Sequence, residues 1–166
     1  MPLRFEELMK KHEKEIYRFT YRMTGNREDA ADVLQDTFFR AFRAFQRLPE
    51  KANHRAWLYR IASRSAMNLA RSKRVRRALP LEKALHLAES NGDLENLVET
   101  RRLAGRLGDI VRALPARQRV ALLQRKYQDL SYREIAATLN CSEQSARAHV
   151  YQAMTKIRRG LAASQA

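Results

Sequence analysis

The sequence predicts an all-α chain: two small helical domains joined by a flexible linker, the second containing a helix-turn-helix. Three observations predict it. Apolar residues recur at three- and four-residue spacing and almost nowhere alternate as strands do. Gly and Pro are scarce, 5 and 4 in 166 residues, so long segments run without a breaker. Where breakers do gather, at Pro80 and at Ser90-Asn91-Gly92-Asp93, the apolar pattern lapses and then resumes. These divide the chain into 1–77, a linker over 78–93, and 94–166.

The first helix carries Phe5, Leu8, Met9, His12, Ile16, Phe19, Thr20 and Met23 on one stripe, which stops at Thr24-Gly25, a glycine suited to a helix C-terminus. Asn26 can cap the second, with Ala30, Val33, Leu34, Phe38, Ala41, Phe42 and Phe45 turned inward and its end before Pro49. A third starts near Asn53, keeps Leu58, Ile61, Ala62, Ser65 and Leu69 on one face, and runs into the basic stretch from Arg71 to Arg77. In the linker only a short stripe across Leu81 to Glu89 allows some helix. Periodicity returns with Leu94, Leu97, Val98, Arg101, Ala104, Leu107, Val111 and Leu114. Pro115 then suits the first turn of a helix holding Val120, Leu123 and Tyr127.

Ser131-Tyr132-Arg133-Glu134 has the spacing of a capping box and opens a short helix with Ile135, Ala136 and Leu139 inward. Asn140 can take the left-handed turn that follows. Ser142 caps the next helix, whose buried stripe is Ala146, Val150, Ala153 and Ile157. Small alanines at 136, 146 and 153 let two helices cross closely, as a helix-turn-helix requires. At ~100° per residue the opposite side presents Gln144, Ala148, Tyr151 and Gln152, with Arg147 on the flank. Amide, phenol and guanidinium groups reach base edges or phosphates in a major groove. His149 falls at the edge of the apolar stripe, a packing position, and Cys141 reads as a small turn residue.

Composition narrows the function. Forty-five per cent hydrophobic residues suffice for real cores, although domains of seventy-odd residues bury only roughly 60% of their unfolded surface and stay modestly stable. One cysteine excludes a disulfide framework and multi-cysteine zinc sites. No apolar run reaches membrane-spanning length, and Met1-Pro2-Leu3-Arg4 leads into charges rather than a signal-peptide core, so a soluble, cytoplasmic protein is expected. The four histidines (12, 54, 86, 149) lack ligand spacing, so neither a metal nor another cofactor is expected, and no nucleophile sits with a base. An enzyme is therefore not expected.

The net charge of +15 is uneven. Residues 37–81 hold 12 basic side chains and one acid, Glu50, and residues 110–166 hold 10 basic and 3 acidic, whereas 1–36 and 82–109 lean acidic. Such clustering rewards phosphate binding through counterion release. On the third helix Arg60, Arg64, Asn68 and Arg71 form a stripe roughly opposite the apolar face. Trp57 lies near it, as a core-edge residue or as a platform for unpaired bases. The second helix differs. Asp32, Gln35, Asp36, Phe39 and Arg40 lie off its apolar stripe, a mixture unsuited to DNA and suited to a charged, helical protein partner.

These segments, in this order, resemble the extracytoplasmic-function (group IV) sigma factors of bacterial RNA polymerase. Asp32-Val33-Leu34-Gln35-Asp36-Thr37-Phe38-Phe39-Arg40-Ala41-Phe42 is similar to the segment that grips the polymerase core, and Trp57-Leu58-Tyr59-Arg60-Ile61-Ala62 to the helix that melts and reads the −10 element. Leu114-Pro115 with Leu130-Ser131-Tyr132-Arg133-Glu134-Ile135-Ala136 resembles the −35-reading domain. The resemblance spans essentially the whole chain. It implies that Asp32, Gln35, Asp36 and Phe39 bind the clamp helices of the largest core subunit. It implies that the loop from Pro49 to Arg55 holds a flipped non-template base. The −10 set is then Lys51, Asn53, His54, Arg55, Trp57, Arg60, Arg64, Asn68 and Arg71. The −35 set is Arg133, Gln144, Ser145, Arg147, Ala148, Tyr151 and Gln152. An anti-sigma partner is a further implication, and the linker would thread the polymerase channel.

The chain departs from the family pattern in the −10 helix, at Arg64 and Asn68 where Asn and Asp are usual. It departs again in the recognition helix, where Gln144, His149 and Gln152 stand for the usual Gly, Arg and Arg. An amide meets adenine bidentately, so Gln152 is expected to favour adenine. The expected function is promoter recognition on core polymerase, with duplex −35 DNA and a melted −10 strand as nucleic-acid partners. The alternative is a stand-alone helix-turn-helix repressor, which would dimerise on a palindrome and ignore polymerase; the sequence has no obvious dimerisation heptad.

Overall fold

The computed structural model describes residues 4–76 and 94–165, and there the regular structure is entirely helical. The elements are α1 (Phe5–Thr24), α2 (Arg27–Phe45), α3 (His54–Arg76), α4 (Leu94–Ala113), α5 (Ala116–Lys126), α6 (Tyr132–Leu139) and α7 (Glu143–Ala163). The expected linker over 78–93, with its short helix at Leu81 to Glu89, lies outside the described residues.

The turn between α1 and α2 has the predicted chemistry. Gly25 adopts φ 82°, and its amide donates to the Tyr21 carbonyl at 2.8 Å. Asn26 Oδ1 then accepts the Asp29 amide at 2.8 Å, capping α2. The Asp29 carboxylate also receives Lys73 Nζ, tying this corner to α3. Thr20, fully buried, donates to Ala30 O across the pair at 3.1 Å. Ile16 and Phe19 are wholly buried beside it, each worth ~1.5–3 kcal/mol over exposure. Phe5 meets the edges of Phe38, Phe42 and Phe45, yet Phe42 stays 61% exposed, because one ring can cover only part of a residue at the stripe's flank.

In the second half α7 packs on α4, α5 and α6. Leu114, Leu122, Ala153 and Ile157 form one small core there. Three sequence expectations shift. Val98 is exposed, while further along the stripe Leu107 and Val111 are half-buried and the following Leu114 is buried. Pro115 takes the N-cap of α5, one residue ahead of the first turn. Tyr127, which continues the stripe on paper, sits just past the end of α5 and is exposed, with the Arg22 guanidinium 4.1 Å above its ring.

The larger core is shared by both halves: Leu8, Phe19 and Tyr59 belong to the same buried cluster as Val120, Leu123 and Ile135. Helix α3 is the meeting point, packing on α1 and α2 on one side and on α5 and α6 on another.

Two glycines should respond oppositely to alanine. At Gly25 the left-handed backbone and the Arg112 side chain both oppose a Cβ, so Gly25→Ala should cost about 1–2 kcal/mol. At Gly105, inside α4 with nothing nearby, alanine should stabilise by about 0.5–1 kcal/mol. Urea denaturation of the two variants checks both signs.

Candidate nucleic-acid and partner interfaces

The helix-turn-helix forms from local capping. Ser131 Oγ accepts the Glu134 amide at 3.1 Å, and Glu134 Oε2 accepts the Ser131 amide at 2.7 Å. Asn140 takes the left-handed conformation at φ 52°, ψ 54°. Ser142 Oγ then accepts the Ser145 amide at 3.0 Å, and Ala146, Val150, Ala153 and Ile157 are buried. The opposite face is open: Gln144, Arg147, Ala148, Tyr151 and Gln152 are exposed, as is Arg133 on α6, while Ser145 is half-buried. Arg147 is not loose. Its guanidinium lies 4.2 Å from the centre of the Tyr132 ring, and Arg125 lies 4.5 Å from the same ring. Such stacking pre-orients the cation. His149 is half-buried and its Nδ1 has no partner. Burial, then the charge of Arg117, holds its imidazole below the ordinary value, as befits a packing position.

On α3, Arg64, Asn68 and Arg71 are exposed and Arg60 is half-buried. Trp57 is half-buried against the main core, so it sits at the core edge in this arrangement. Lys51 and Asn53 are exposed in the preceding loop, and His54 tilts towards Phe45 with ring centroids 6.3 Å apart. On α2, Asp32, Gln35, Asp36 and Phe39 together line a shallow open groove. Phe39 is 61% exposed, and Arg43 lies 5.8 Å from its ring. Asp36 Oδ2 accepts from Arg40 Nε at 2.8 Å and from Ser65 Oγ at 2.6 Å, so its carboxylate is aimed by both α2 and α3.

Residues 8–76 match the family model Sigma-70 region 2, and residues 104–157 match Sigma-70, region 4. The ECF RNA polymerase sigma-E factor of Salmonella typhimurium is 31% identical over 137 residues, covering 78% of this chain and 72% of that protein. This chain belongs to the extracytoplasmic-function sigma factors. The ECF RNA polymerase sigma factor SigE of Mycolicibacterium smegmatis is also 31% identical, over 160 residues and 95% of this chain, which spans 62% of that relative's length. The fold is shared with the sigma factor RpoE solved in complex with the anti-sigma factor NepR from Bartonella quintana. That match has a TM-score of 0.75 at 20% identity and covers 95% of this chain and 96% of that one.

In this sigma factor, part of the −10 set that the family resemblance implies is engaged internally. Asn53 Nδ2 donates to Glu134 Oε1 at 3.0 Å, so the α6 capping glutamate also touches the loop before α3. Arg55 donates to Glu15 Oε2 at 3.0 Å and to the Gln128 carbonyl at 2.8 Å. Tyr59 Oη donates to the same Glu15 oxygen at 2.8 Å. Further in, Gln124 is fully buried and donates to Ser63 Oγ at 2.6 Å, and Arg119 donates to Met23 O at 2.6 Å. Sequence reasoning missed Tyr59, Ser63, Gln124 and Tyr132. The one available signal was their spacing: Arg55, Tyr59 and Ser63 recur every four residues, a second face of α3 drawn in polar residues.

Burial pushes the Glu15 carboxyl up, but hydrogen bonds from His12, Tyr59 and Arg55, with the Arg55 charge, outweigh it and hold Glu15 below its ordinary 4.5. Burial and the adjacent carboxylate push the Tyr59 hydroxyl well up. A depressed carboxyl stabilises the folded state above its unfolded value and loses that contribution as pH falls through the folded one. Glu15→Gln should therefore cost about 2 kcal/mol at pH 7, the scale of charge-assisted hydrogen bonds. The gap to wild type should close as pH drops below about 4.5. Denaturant midpoints measured from pH 7 to pH 3 check this.

Proposed function

We propose that this sigma factor binds core RNA polymerase through the α2 groove and selects promoters with the outer faces of α3 and α7. The observation that carries the reading is the groove itself. Two acids, an amide and an exposed phenyl ring share one open surface on a chain of net charge +15. That surface repels DNA and complements a cationic helical partner. A stand-alone repressor has no use for it. Core polymerase supplies the chemistry, so the chain needs neither catalytic residues nor a cofactor, and it works in the cytoplasm, where polymerase is. Among the described residues no helix is long and apolar enough to cross a membrane.

The −35 set, Arg133, Gln144, Ser145, Arg147, Ala148, Tyr151 and Gln152, meets duplex DNA. The −10 set meets the melted non-template strand, with Lys51, Asn53, His54 and Arg55 around a flipped base and Trp57, Arg60, Arg64, Asn68 and Arg71 along the strand. A captured base offsets an unstacking cost of a few kcal/mol. The two elements lie roughly 25 base pairs apart, about 85 Å along the duplex. A folded chain of this length has a radius of gyration of only about 15 Å. Residues 1–77 and 94–166 therefore act as separable modules: the shared apolar core and the contacts of Gln124, Arg119, Arg55 and Asn53 part when the promoter is bound, and the 78–93 linker sets the reach. The Gln124 and Gln128 side-chain oxygens, buried without partners, make that closed interface less stable than a fully paired one. An anti-sigma protein is the regulatory partner that the Bartonella quintana complex suggests, and it would act by holding one arrangement of the modules.

Run-off transcription with purified core tests the reading. The full chain should direct product from its cognate promoter. Phe39→Ala and Asp32→Lys should each weaken core binding about tenfold or more, as loss of an interface anchor does, with an unchanged thermal melt. Core binding unaffected by both variants would refute it. Asp36→Arg is a less clean probe, because it also breaks the link to Ser65.

A further inference from the structure

A chain of three side chains runs from Lys156 on α7 through buried Gln118 on α5 and back to Gln152 on the outer face of α7. Lys156 Nζ donates to Gln118 Oε1 at 3.0 Å, and Gln118 Nε2 donates to Gln152 Oε1 at 2.9 Å. The direction of this chain follows from its first member. An ammonium group has donors only, so Gln118 must turn its oxygen to Lys156 and its NH2 away. That NH2 in turn demands an acceptor, which only the Gln152 oxygen can be. Gln118 is buried, in the first turn of α5, and has little room to choose otherwise. Gln152 is exposed, and with its oxygen drawn towards α5 its NH2 is the end left for a partner.

We propose that Gln118 is a positioning residue that sets the base preference of Gln152 by deciding which end of its amide faces DNA. The inference rests on the reading of α7 as the −35 reader and names its selectivity. An amide free to turn pairs bidentately with adenine, accepting from N6 and donating to N7. An amide whose oxygen is held inward offers two N–H groups instead. These suit guanine, with acceptors at N7 and O6, or thymine, with O4, and they oppose the amino groups of adenine and cytosine. Gln152 therefore reads a keto base, and the adenine preference expected from residue type alone is replaced.

The isosteric substitution Gln118→Glu inverts the chain. A carboxylate accepts from Lys156 with one oxygen and accepts again with the other, so Gln152 must turn its NH2 inward and its oxygen out. Lys156→Met, at an exposed position, removes the donor that orients Gln118 and frees Gln152 to adopt either sense.

The experiment is selection of a randomised −35 element by holoenzyme, followed by sequencing, with wild type, Gln152→Ala, Gln118→Glu and Lys156→Met. Gln152→Ala should relax one base pair, at which wild type favours a keto base roughly tenfold. Gln118→Glu should switch that same pair to an amino base, whatever its added charge does to overall affinity. Lys156→Met should narrow the preference without reversing it, and it carries the test if Gln118→Glu lowers the thermal melt. A pair relaxed by Gln152→Ala but unmoved by Gln118→Glu and Lys156→Met overturns the role of Gln118 alone. No position altered by Gln152→Ala overturns the −35 assignment itself.

Discussion

Helix α3 has to serve three surfaces at once, and much of the molecule is arranged around that demand. One face closes the core with α1 and α2 through Leu58 and Ala62. A second, carrying Arg55, Tyr59 and Ser63, meets α5, α6 and the turn between them. The third carries Arg60, Arg64, Asn68 and Arg71, mostly turned to solvent. A helix has only 360° to distribute, so the buried faces must stay narrow. Small residues answer this constraint: Ala62, Ser63 and Ala66 are buried on α3, where larger groups would push neighbouring helices away.

The second of those faces adds polar contacts to the apolar core that the halves share. Hydrogen bonds there exchange with water at a small net cost, about 0.5–1.5 kcal/mol each. Gln124 to Ser63, Arg119 to Met23 O, and Arg55 to Gln128 O add specificity of placement to that core. Glu15 supplies a negative charge beside this face. It gathers His12, Arg55 and Tyr59 around one carboxylate, so it stiffens the first half while presenting Arg55 to the second.

Charge is separated in the same economical way. The acids of α2 line an open groove, with Ser65 and Arg40 aiming Asp36. The cations of α3 and α7 face elsewhere. On α7 the aromatic ring of Tyr132 holds Arg147, and a chain of amides holds Gln152, so groups that face solvent are ordered before a ligand arrives. Ordering them in advance reduces the entropy lost on binding.

Residue order alone determined the helices of the described residues nearly to their ends, because the causes are local. Gly25, Asn26, Ser131, Asn140 and Ser142 act on amides within a turn of themselves, and apolar spacing marks the inward faces of α1, α2, α6 and α7. The acidic groove was legible too, since Asp32, Gln35, Asp36 and Phe39 share one helix surface. Tertiary structure decided the rest: the burial of Tyr59, Ser63, Gln118 and Gln124, the exposure of Tyr127, and the sense of the Gln152 amide. A serine or glutamine carries no periodic signal that separates water from a distant partner. Its role is fixed only when an element some 30 to 60 residues away in the chain brings a complementary donor or acceptor within hydrogen-bond reach.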